Sequence, residues 1–386
     1  MFYLHAKIHT MAGTILEDGW MQVENGKILA LGDGTPPAGC GDTFDCGGLS
    51  MYPGFFDAHT HLGMMEDGLT FEGDDVNEDS DPVTPQLRAI DGLNPLDRDF
   101  REAVEAGVTA VVTGPGSANP IGGQMAAIKT FCPDGCVDDM VLRAPVAIKM
   151  ALGENPKNVY HEKDSGPVTR MATAALIREA LYKARRYGEE LEAAADASER
   201  PDFDMACEAL LPALRREIEV HFHAHRADDI FTAIRIGKEF HLDFVIVHCT
   251  EGHEIAARLA REGVRALCGP VLSERSKPEL RRLTPACPGI LSRAGVKTAI
   301  ITDHSVVPIQ YLAACAGLAV REGMDHEAAL EAITIVPAQI CHLEDRIGSL
   351  EPGKDADFSL FAEDPLSNFA KPRYVYTAGR CVLDRR

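Results

Sequence analysis

Residues 52–62, YPGFFDAHTHL, place two histidines two positions apart at the end of an apolar run. Because alternate residues of a strand face the same side, His59 and His61 would project together, about 7 Å apart along the strand. Two imidazoles arranged in this way can hold one cation. The stretch therefore predicts a buried strand that ends in a pair of metal ligands.

The sequence after this stretch alternates apolar segments with amphipathic helical ones. Seven further strands are predicted at TAVVTGPG, MAAIKTF, VAIKMAL, EVHFHAH, FVIVHCTE, VRALCGPV and KTAIITDHS. Eight strand-then-helix units in about 300 residues predict an α/β protein with a distorted (β/α)₈ TIM barrel. An open doubly wound sheet is the alternative, but no G-x-G-x-x-G loop follows the first strand. Residues 171–218 are longer than one barrel helix and predict two helices between strands four and five.

Both ends of the chain have a different pattern from the middle. Residues 1–50 consist of short β segments, with Asn25-Gly26 as a predicted hairpin turn. Short β segments return after GSLEPGKDADFSLF. We therefore predict a small composite β-sandwich domain from residues 1–50 and 349–386, and a catalytic barrel from residues 51–348.

Composition narrows the class of protein and its partners. The 386 residues are 45% hydrophobic and 25% charged, which predicts a soluble globular protein. A formal net charge of −21 argues against nucleic acid and anionic membranes and favours a small-molecule substrate. No signal peptide or apolar span is recognisable, so a cytoplasmic location is expected. Eleven cysteines in apolar contexts predict reduced thiols, and the sequence leaves open whether the chain is a homo-oligomer.

Titratable side chains fall at the ends of the predicted strands. In a barrel these ends converge on one mouth. Imidazoles together with a carboxylate form a ligand set suited to zinc and its neighbours. The residues concerned are His59, His61, Lys149, His221, His223, His225, His248 and Asp303.

These motifs resemble the metal-dependent amidohydrolase superfamily over the whole chain. The resemblance rests on PGFFDAHTH, HFHAH, VHCTEGH, TDHS and GSLEPGKDADFSLF. Within the superfamily, PGFFDAHTHLG and ITIVPAQICHLEDRIGSLEPGKDADF are most similar to the branch of imidazolonepropionases and Xaa-Pro dipeptidases.

The resemblance implies a ligand set for one or two divalent ions, with two Zn²⁺ favoured. His59, His61 and Asp303 would bind the more buried ion, and His223 and His248 the second. The strand-five pattern fits best at His223, although His221 and His225 share its face.

Lys149 would carry a carbamate that bridges both ions, because a lysine beside two cations favours the neutral amine that adds CO₂. A salt bridge from Lys149 to Glu154 is the alternative. Lys157 is the poorer candidate for the carbamate, since it lies beyond the loop.

Four residues are candidates for contacts with the substrate. His225 or Arg226 follows the strand-five ligand, and Gln124 lies in the glycine-rich segment TGPGSANPIGGQ, where Asn119 is a further candidate. The alternative for HRADD is a helix start with acidic residues in its first turn. The acidic run MMEDGLTFEGDDVNEDSDP is a solvated loop or a lid over the mouth.

The expected reaction is hydrolysis of a C–N bond in a small amide, such as an N-acyl amino acid or an Xaa-Pro-type dipeptide. A metal-bound hydroxide would attack, with Asp303 as general acid and base. The alternative is a one-metal imidazolonepropionase-like enzyme or deaminase, in which His248 donates a proton or stabilises an oxyanion. A non-catalytic scaffold is the remaining alternative.

Overall fold

The computed structural model describes residues 1–68 and 70–386, which fold into two sheets and their flanking helices. The strands are β1 (Phe2–His9), β2 (Ile15–Glu24), β3 (Lys27–Asp33), β4 (Thr43–Asp45), β5 (Ser50–Pro53), β6 (Phe55–Thr60), β7 (Val108–Thr113), β8 (Ile121–Lys129), β9 (Val141–Ala151), β10 (Glu219–Ala224), β11 (Phe244–His248), β12 (Arg265–Cys268), β13 (Lys297–Ile300), β14 (Phe358–Phe361), β15 (Tyr374–Thr377) and β16 (Arg380–Asp384). The α-helices are α1 (Arg98–Glu105), α2 (Glu154–Glu162), α3 (Arg170–Ala193), α4 (Met205–Leu214), α5 (Ala227–Glu239), α6 (Ala256–Glu262), α7 (Cys287–Arg293), α8 (Leu312–Arg321), α9 (His326–Glu331) and α10 (Ile335–Ile340).

Strands β6 to β13 form one eight-stranded sheet in sequence order, which makes a nearly closed barrel. The first and last strands are joined where the Asp57 carboxylate accepts hydrogen bonds from Thr302, from its N–H at 2.9 Å and from its hydroxyl at 2.6 Å. All eight predicted strands are present, so the distorted TIM-like barrel is confirmed.

The third strand departs from the predicted strand-then-helix repeat. Strand β8 is antiparallel to both β7 and β9, and no α-helix lies within the described residues between β7 and β9. The seven residues 114–120 are too few for a parallel crossover, which needs a dozen or more, so the chain reverses directly. The expectation of eight uniform units is therefore wrong at β8.

This reversal brings an extra loop to the mouth of the barrel. The carboxyl ends of the parallel strands share one rim, and the antiparallel β8 contributes its amino end to that rim. Gly123 pairs in register with Lys149, and Ile121 pairs with Met150. The glycine-rich residues 114–120 therefore border the mouth.

Helices cover the outside of the barrel as the sequence periodicity predicts. Outward-facing Phe222 of β10 belongs to one apolar cluster with Ile230 and Ile234 of α5. Two helices, α3 and α4, occupy the predicted 171–218 region, and side-chain oxygens of Thr169 and Asp204 cap their first turns. Among the described residues, no helix has the length and apolar character needed to cross a membrane.

The second sheet contains strands from both ends of the chain, in the order β16-β15-β14-β5-β1-β2-β3, with β4 on β1. Tyr3, Phe358 and Tyr376 pack their rings together, with centroids 4.4–5.0 Å apart. Asn25 and Gly26 have positive φ and form the predicted hairpin turn between β2 and β3. The predicted joining of both termini into a separate sheet is confirmed, while the boundaries at 50/51 and 348/349 stay a prediction.

Candidate metal centre

Side chains from six of the barrel strands and the segments after them converge at the mouth. His59 lies near the carboxyl terminus of β6, and His61 directly follows that strand. His248 is the last residue of β11. Asp303 lies three residues beyond β13. Two separate groups of donor atoms result, and within each group the atoms lie within 4.8 Å of one another.

The first group contains His59, His61 and Asp303. Asp303 Oδ1 lies 3.5 Å from Nε2 of His59 and 3.5 Å from Nε2 of His61. His61 donates from Nδ1 to the Gly114 carbonyl at 2.7 Å, which directs its Nε2 towards the carboxylate. Burial opposes ionisation of Asp303, but the imidazoles of His248 and His61 leave its pKa lowered to about 2. The group is thus two imidazoles and an ionised carboxylate.

Lys149 adjoins this first group. Its Nζ lies 2.8 Å from Nε2 of His59, and its side chain is almost fully buried. Burial lowers the pKa of Lys149 to about 8, although the Asp303 carboxylate opposes this shift. About a tenth of this amine is therefore neutral at pH 7, and the neutral amine is the form that reacts with CO₂.

The second group contains His223, His225 and His248. Their ring centroids lie 4.3–4.7 Å apart, and the rings of His225 and His248 are stacked. His248 donates from Nδ1 to the Gly269 carbonyl at 2.8 Å, and Nδ1 of His225 is hydrogen-bonded to the Thr250 hydroxyl at 2.8 Å. Both ring nitrogens of His223 are buried without a hydrogen-bond partner.

All three imidazoles of the second group are neutral. Burial lowers the pKa of His248 to about 4 and the pKa values of His223 and His225 well below the ordinary range. Neutral imidazole is the form that coordinates a metal. A buried, unpartnered nitrogen is costly unless a ligand occupies it, so this donor set fits a divalent cation.

The structure reduces the ambiguity in strand five. His221 lies deeper in the barrel, where its Nε2 is 3.4 Å from Oε2 of Glu219. His223 joins the second donor group as predicted, and His225 joins it as well. The sequence pattern assigned the ligand role to His223 alone, whereas the structure brings the imidazoles of His223 and His225 into the same donor group.

The other predicted substrate contacts lie at the edge of the centre or outside it. The Arg226 guanidinium pairs with Asp228 at 2.8–3.0 Å, at the start of α5. Gln124 follows Gly123, the register partner of Lys149, so its side chain faces away from the barrel interior, and it donates to the Pro85 carbonyl at 3.4 Å. The roles of His225, Arg226 and Gln124 in substrate binding stay predictions.

The acidic loop after β6 is tied to the glycine-rich loop. Asn77 Oδ1 accepts a hydrogen bond from the Ala118 N–H, and Asn119 donates to the Glu78 carbonyl at 2.7 Å. Asn119 also accepts from the Tyr160 hydroxyl of α2 at 2.7 Å. Asn119 thus holds loops together at the rim.

One buried carboxylate at the centre had no signal in the sequence. Glu279 is fully buried, and its Oε1 lies 3.5 Å from Nε2 of His225 and 3.8 Å from Nε2 of His223. It sits in a short 3-10 turn in the long segment between β12 and α7, where no periodicity marks it. Only its place in the segment that follows the seventh barrel strand, β12, could have drawn attention to it.

Comparisons with known proteins identify the family of this chain. The model of the Amidohydrolase family matches residues 50–382. Amidohydrolase tasK of Hapsidospora irregularis is 29% identical over 391 residues, covering 95% of this chain and 40% of that protein, so the chain spans about two fifths of that relative.

Two solved structures show the similarity at the level of the fold. An amidohydrolase from Thermotoga maritima MSB8 superposes with a TM-score of 0.95, at 39% identity and with 100% of both chains covered. A prolidase complexed with N-methylphosphonate-L-proline superposes with a TM-score of 0.59, at 16% identity and with 99% of both chains covered.

Proposed function

Because the chain belongs to the amidohydrolase family and is an enzyme acting on C–N bonds, we propose that it is a two-metal hydrolase of small amides. N-acyl amino acids and Xaa-Pro-type dipeptides are the proposed substrate class. The prolidase that shares the fold was solved with a proline-containing phosphonate, so dipeptides ending in proline belong in the first substrate panel.

One observation carries this proposal above all. Two buried groups of donor atoms face the same barrel mouth, each compact enough for one ion, and the Lys149 amine adjoins the first group. Donors held 2.0–2.1 Å from a tetrahedral zinc lie about 3.4 Å from one another, close to the 3.5 Å distances from Asp303 to His59 and His61.

The proposed centre has one set of ligands for each of the two cations. His59, His61 and Asp303 would hold the first cation, His223 and His248 would hold the second, and a carboxylated Lys149 would serve both. When bound, divalent cations lower the pKa of coordinated water from 15.7 to about 7 and polarise a substrate carbonyl. That difference corresponds to roughly 12 kcal/mol of the cost of forming hydroxide, more than a single general base contributes.

The chain's own groups supply proton transfer and orientation. Asp303 has a second carboxylate oxygen beyond the one facing His59 and His61, and it takes the proton of the attacking water and delivers it to the leaving nitrogen. Arg226 lies next to the second donor group with its side chain about one-third exposed, where it can bind a substrate carboxylate. Gln124 is the weaker substrate contact, because its side chain faces away from the barrel interior.

Metal counting combined with a substrate panel tests the proposal. The metal-free protein is reconstituted with Zn²⁺ or Mn²⁺, its ions are counted by mass spectrometry, and hydrolysis of N-acyl amino acids and dipeptides is measured. We expect two ions per chain, loss of one in Lys149→Ala, and no loss in the matched Lys157→Ala control on α2.

Three outcomes would contradict the proposal. A single ion that is unaffected by Lys149→Ala indicates a one-metal enzyme of the imidazolonepropionase or deaminase type. A protein that binds no ion is a scaffold. Two ions without hydrolysis of any member of the panel would show that the substrate class is wrong.

A further inference from the structure

Glu279 is a buried carboxylate at the mouth that the ligand set proposed above leaves unused. Its side chain is fully buried, and its Oε2 accepts a hydrogen bond from the Glu154 N–H at 3.1 Å. Its Oε1 faces the imidazoles of His223 and His225. This oxygen therefore points into the second donor group.

We propose that Glu279 is a ligand of the second cation, together with His223 and His248 and beside His225. The proposal rests on the two-cation centre proposed above and adds a protein carboxylate to it. Such a ligand gives the second ion an anionic donor from the chain itself, independent of any carbamate on Lys149.

Distances around Glu279 support coordination. Its Oε1 lies 3.5 Å from Nε2 of His225 and 3.8 Å from Nε2 of His223, close to the separation of about 3.4 Å expected for two ligands of one tetrahedral zinc. Neither ring nitrogen of His223 has a hydrogen-bond partner. The Glu279 oxygen and these imidazole nitrogens approach each other closely without a hydrogen bond. Two ligands of one metal ion have the same arrangement.

Lys277 is the competing explanation for the buried carboxylate. Its Nζ lies 2.8 Å from Oε1 of Glu279 and also donates to Asn155 Oδ1 at 2.9 Å. The approach to Oε1 does not have hydrogen-bond geometry, and a carboxylate oxygen has two lone pairs. Lys277 can therefore neutralise Glu279 from one side while the other lone pair faces the imidazoles, in the way that outer groups orient metal ligands.

The two explanations predict different effects on cation binding. If Glu279 is a ligand, Glu279→Gln should weaken binding of the second Zn²⁺ by about 100-fold or more, while the first Zn²⁺ stays bound. Lys277→Met, which keeps the carboxylate, should change that affinity by about 10-fold, the low end for a group that only orients a ligand, and by less than Glu279→Gln does. Glu251→Gln is the matched control, because Glu251 is also buried with its Oε2 bonded to a backbone N–H, but its Oε1 faces Arg281 and Arg282 at 3.8 and 3.9 Å.

Zinc affinity is measured by competition with a chromophoric chelator, and the ligand field is followed by visible absorption after Co²⁺ substitution. We expect Glu279→Gln to change the Co²⁺ spectrum and Glu251→Gln to leave it unchanged. Equal zinc affinity and an identical spectrum in Glu279→Gln and wild type would overturn the proposal, while leaving the two-metal function standing if wild type holds two ions. A wild type that binds no second ion would overturn both.

Zinc-loaded crystals of the wild type give a test that does not depend on the folding of any variant. The anomalous-difference map should place an ion about 2.0–2.2 Å from a carboxylate oxygen of Glu279. An ion between His223 and His248 that lies more than about 3 Å from both oxygens would refute coordination by Glu279.

Discussion

A buried ion-pair cluster closes the amino-terminal end of the barrel, opposite the candidate metal centre. Glu219 begins β10, Arg265 begins β12, and Asp243 immediately precedes β11. Arg265 lies 2.6 Å from Glu219 Oε1 and also pairs with Asp243. Groups at this end of a barrel contribute to stability rather than to catalysis. The substitution Arg265→Met should therefore destabilise the fold and leave cation binding unchanged.

The size of the effect follows from what Glu219 loses. Only 1% of its side chain is exposed, and without the guanidinium its nearest remaining partner is His221 Nε2 at 3.4 Å. Removing one member of a buried ion pair costs about 3–5 kcal/mol. The guanidinium also donates to the carbonyls of Phe244 and Ile340, at 3.0 and 3.2 Å. We expect the free energy of unfolding to fall by about 4 kcal/mol.

Urea unfolding followed by circular dichroism in EDTA measures this loss without a contribution from bound cations. The control is Arg258→Met, the same substitution in an exposed pair with Glu262 on α6, with an expected loss below about 1 kcal/mol. The double variant Glu219→Leu, Arg265→Met should recover part of the stability, because the fully buried Glu219 carboxylate is then no longer left without its cation. A loss below about 1 kcal/mol in Arg265→Met, or a fall in zinc affinity, would refute the reasoning.

Three further predictions concern backbone packing, helix capping and the buried lysine. Gly54→Ala should destabilise the protein by about 1–3 kcal/mol or more, because the new Cβ would lie 2.0 Å from Oγ1 of Thr109. The control Gly41→Ala has open space around it and should leave the melting temperature unchanged. Asp204→Ala removes the N-cap of α4 and should cost about 1 kcal/mol in urea titrations; an unchanged midpoint would contradict the capping role. Burial lowers the pKa of Lys149 to about 8 from 10.5, so the metal-free protein should gain roughly 3 kcal/mol as pH rises from 8 to 10.5, because only the unfolded state binds the proton there. Lys149→Met should lack that gain. If the free energy of unfolding from urea titrations rises with pH equally in Lys149→Met and in wild type, the amine is not buried.

Local patterns in the sequence were enough for most of the barrel. Each strand is a short apolar run, and each helix has its own periodicity, so neither requires knowledge of distant residues. The pair His59 and His61 could be identified in the same way, because a period of two fixes the side on which both lie. The turn at Asn25-Gly26 likewise follows from the positive φ that its two residues tolerate.

The direction of β8 was not accessible from such patterns. An apolar strand has the same sequence signature whether it runs parallel or antiparallel to its neighbours, and only the seven-residue connection to β7 indicates a reversal. Gln124 illustrates the consequence, because the register of β8 decides which side of the sheet its side chain faces.

The sequence by itself determined that strand ends rich in histidine, one lysine and one aspartate would meet at a barrel mouth, because alternation within a strand is a local property. The tertiary structure alone decided that Glu279 reaches the imidazoles of His223 and His225 from the segment after β12. These contacts join residues more than 50 positions apart through the packing of different loops. No local period records such a meeting, since it depends on how the whole barrel closes.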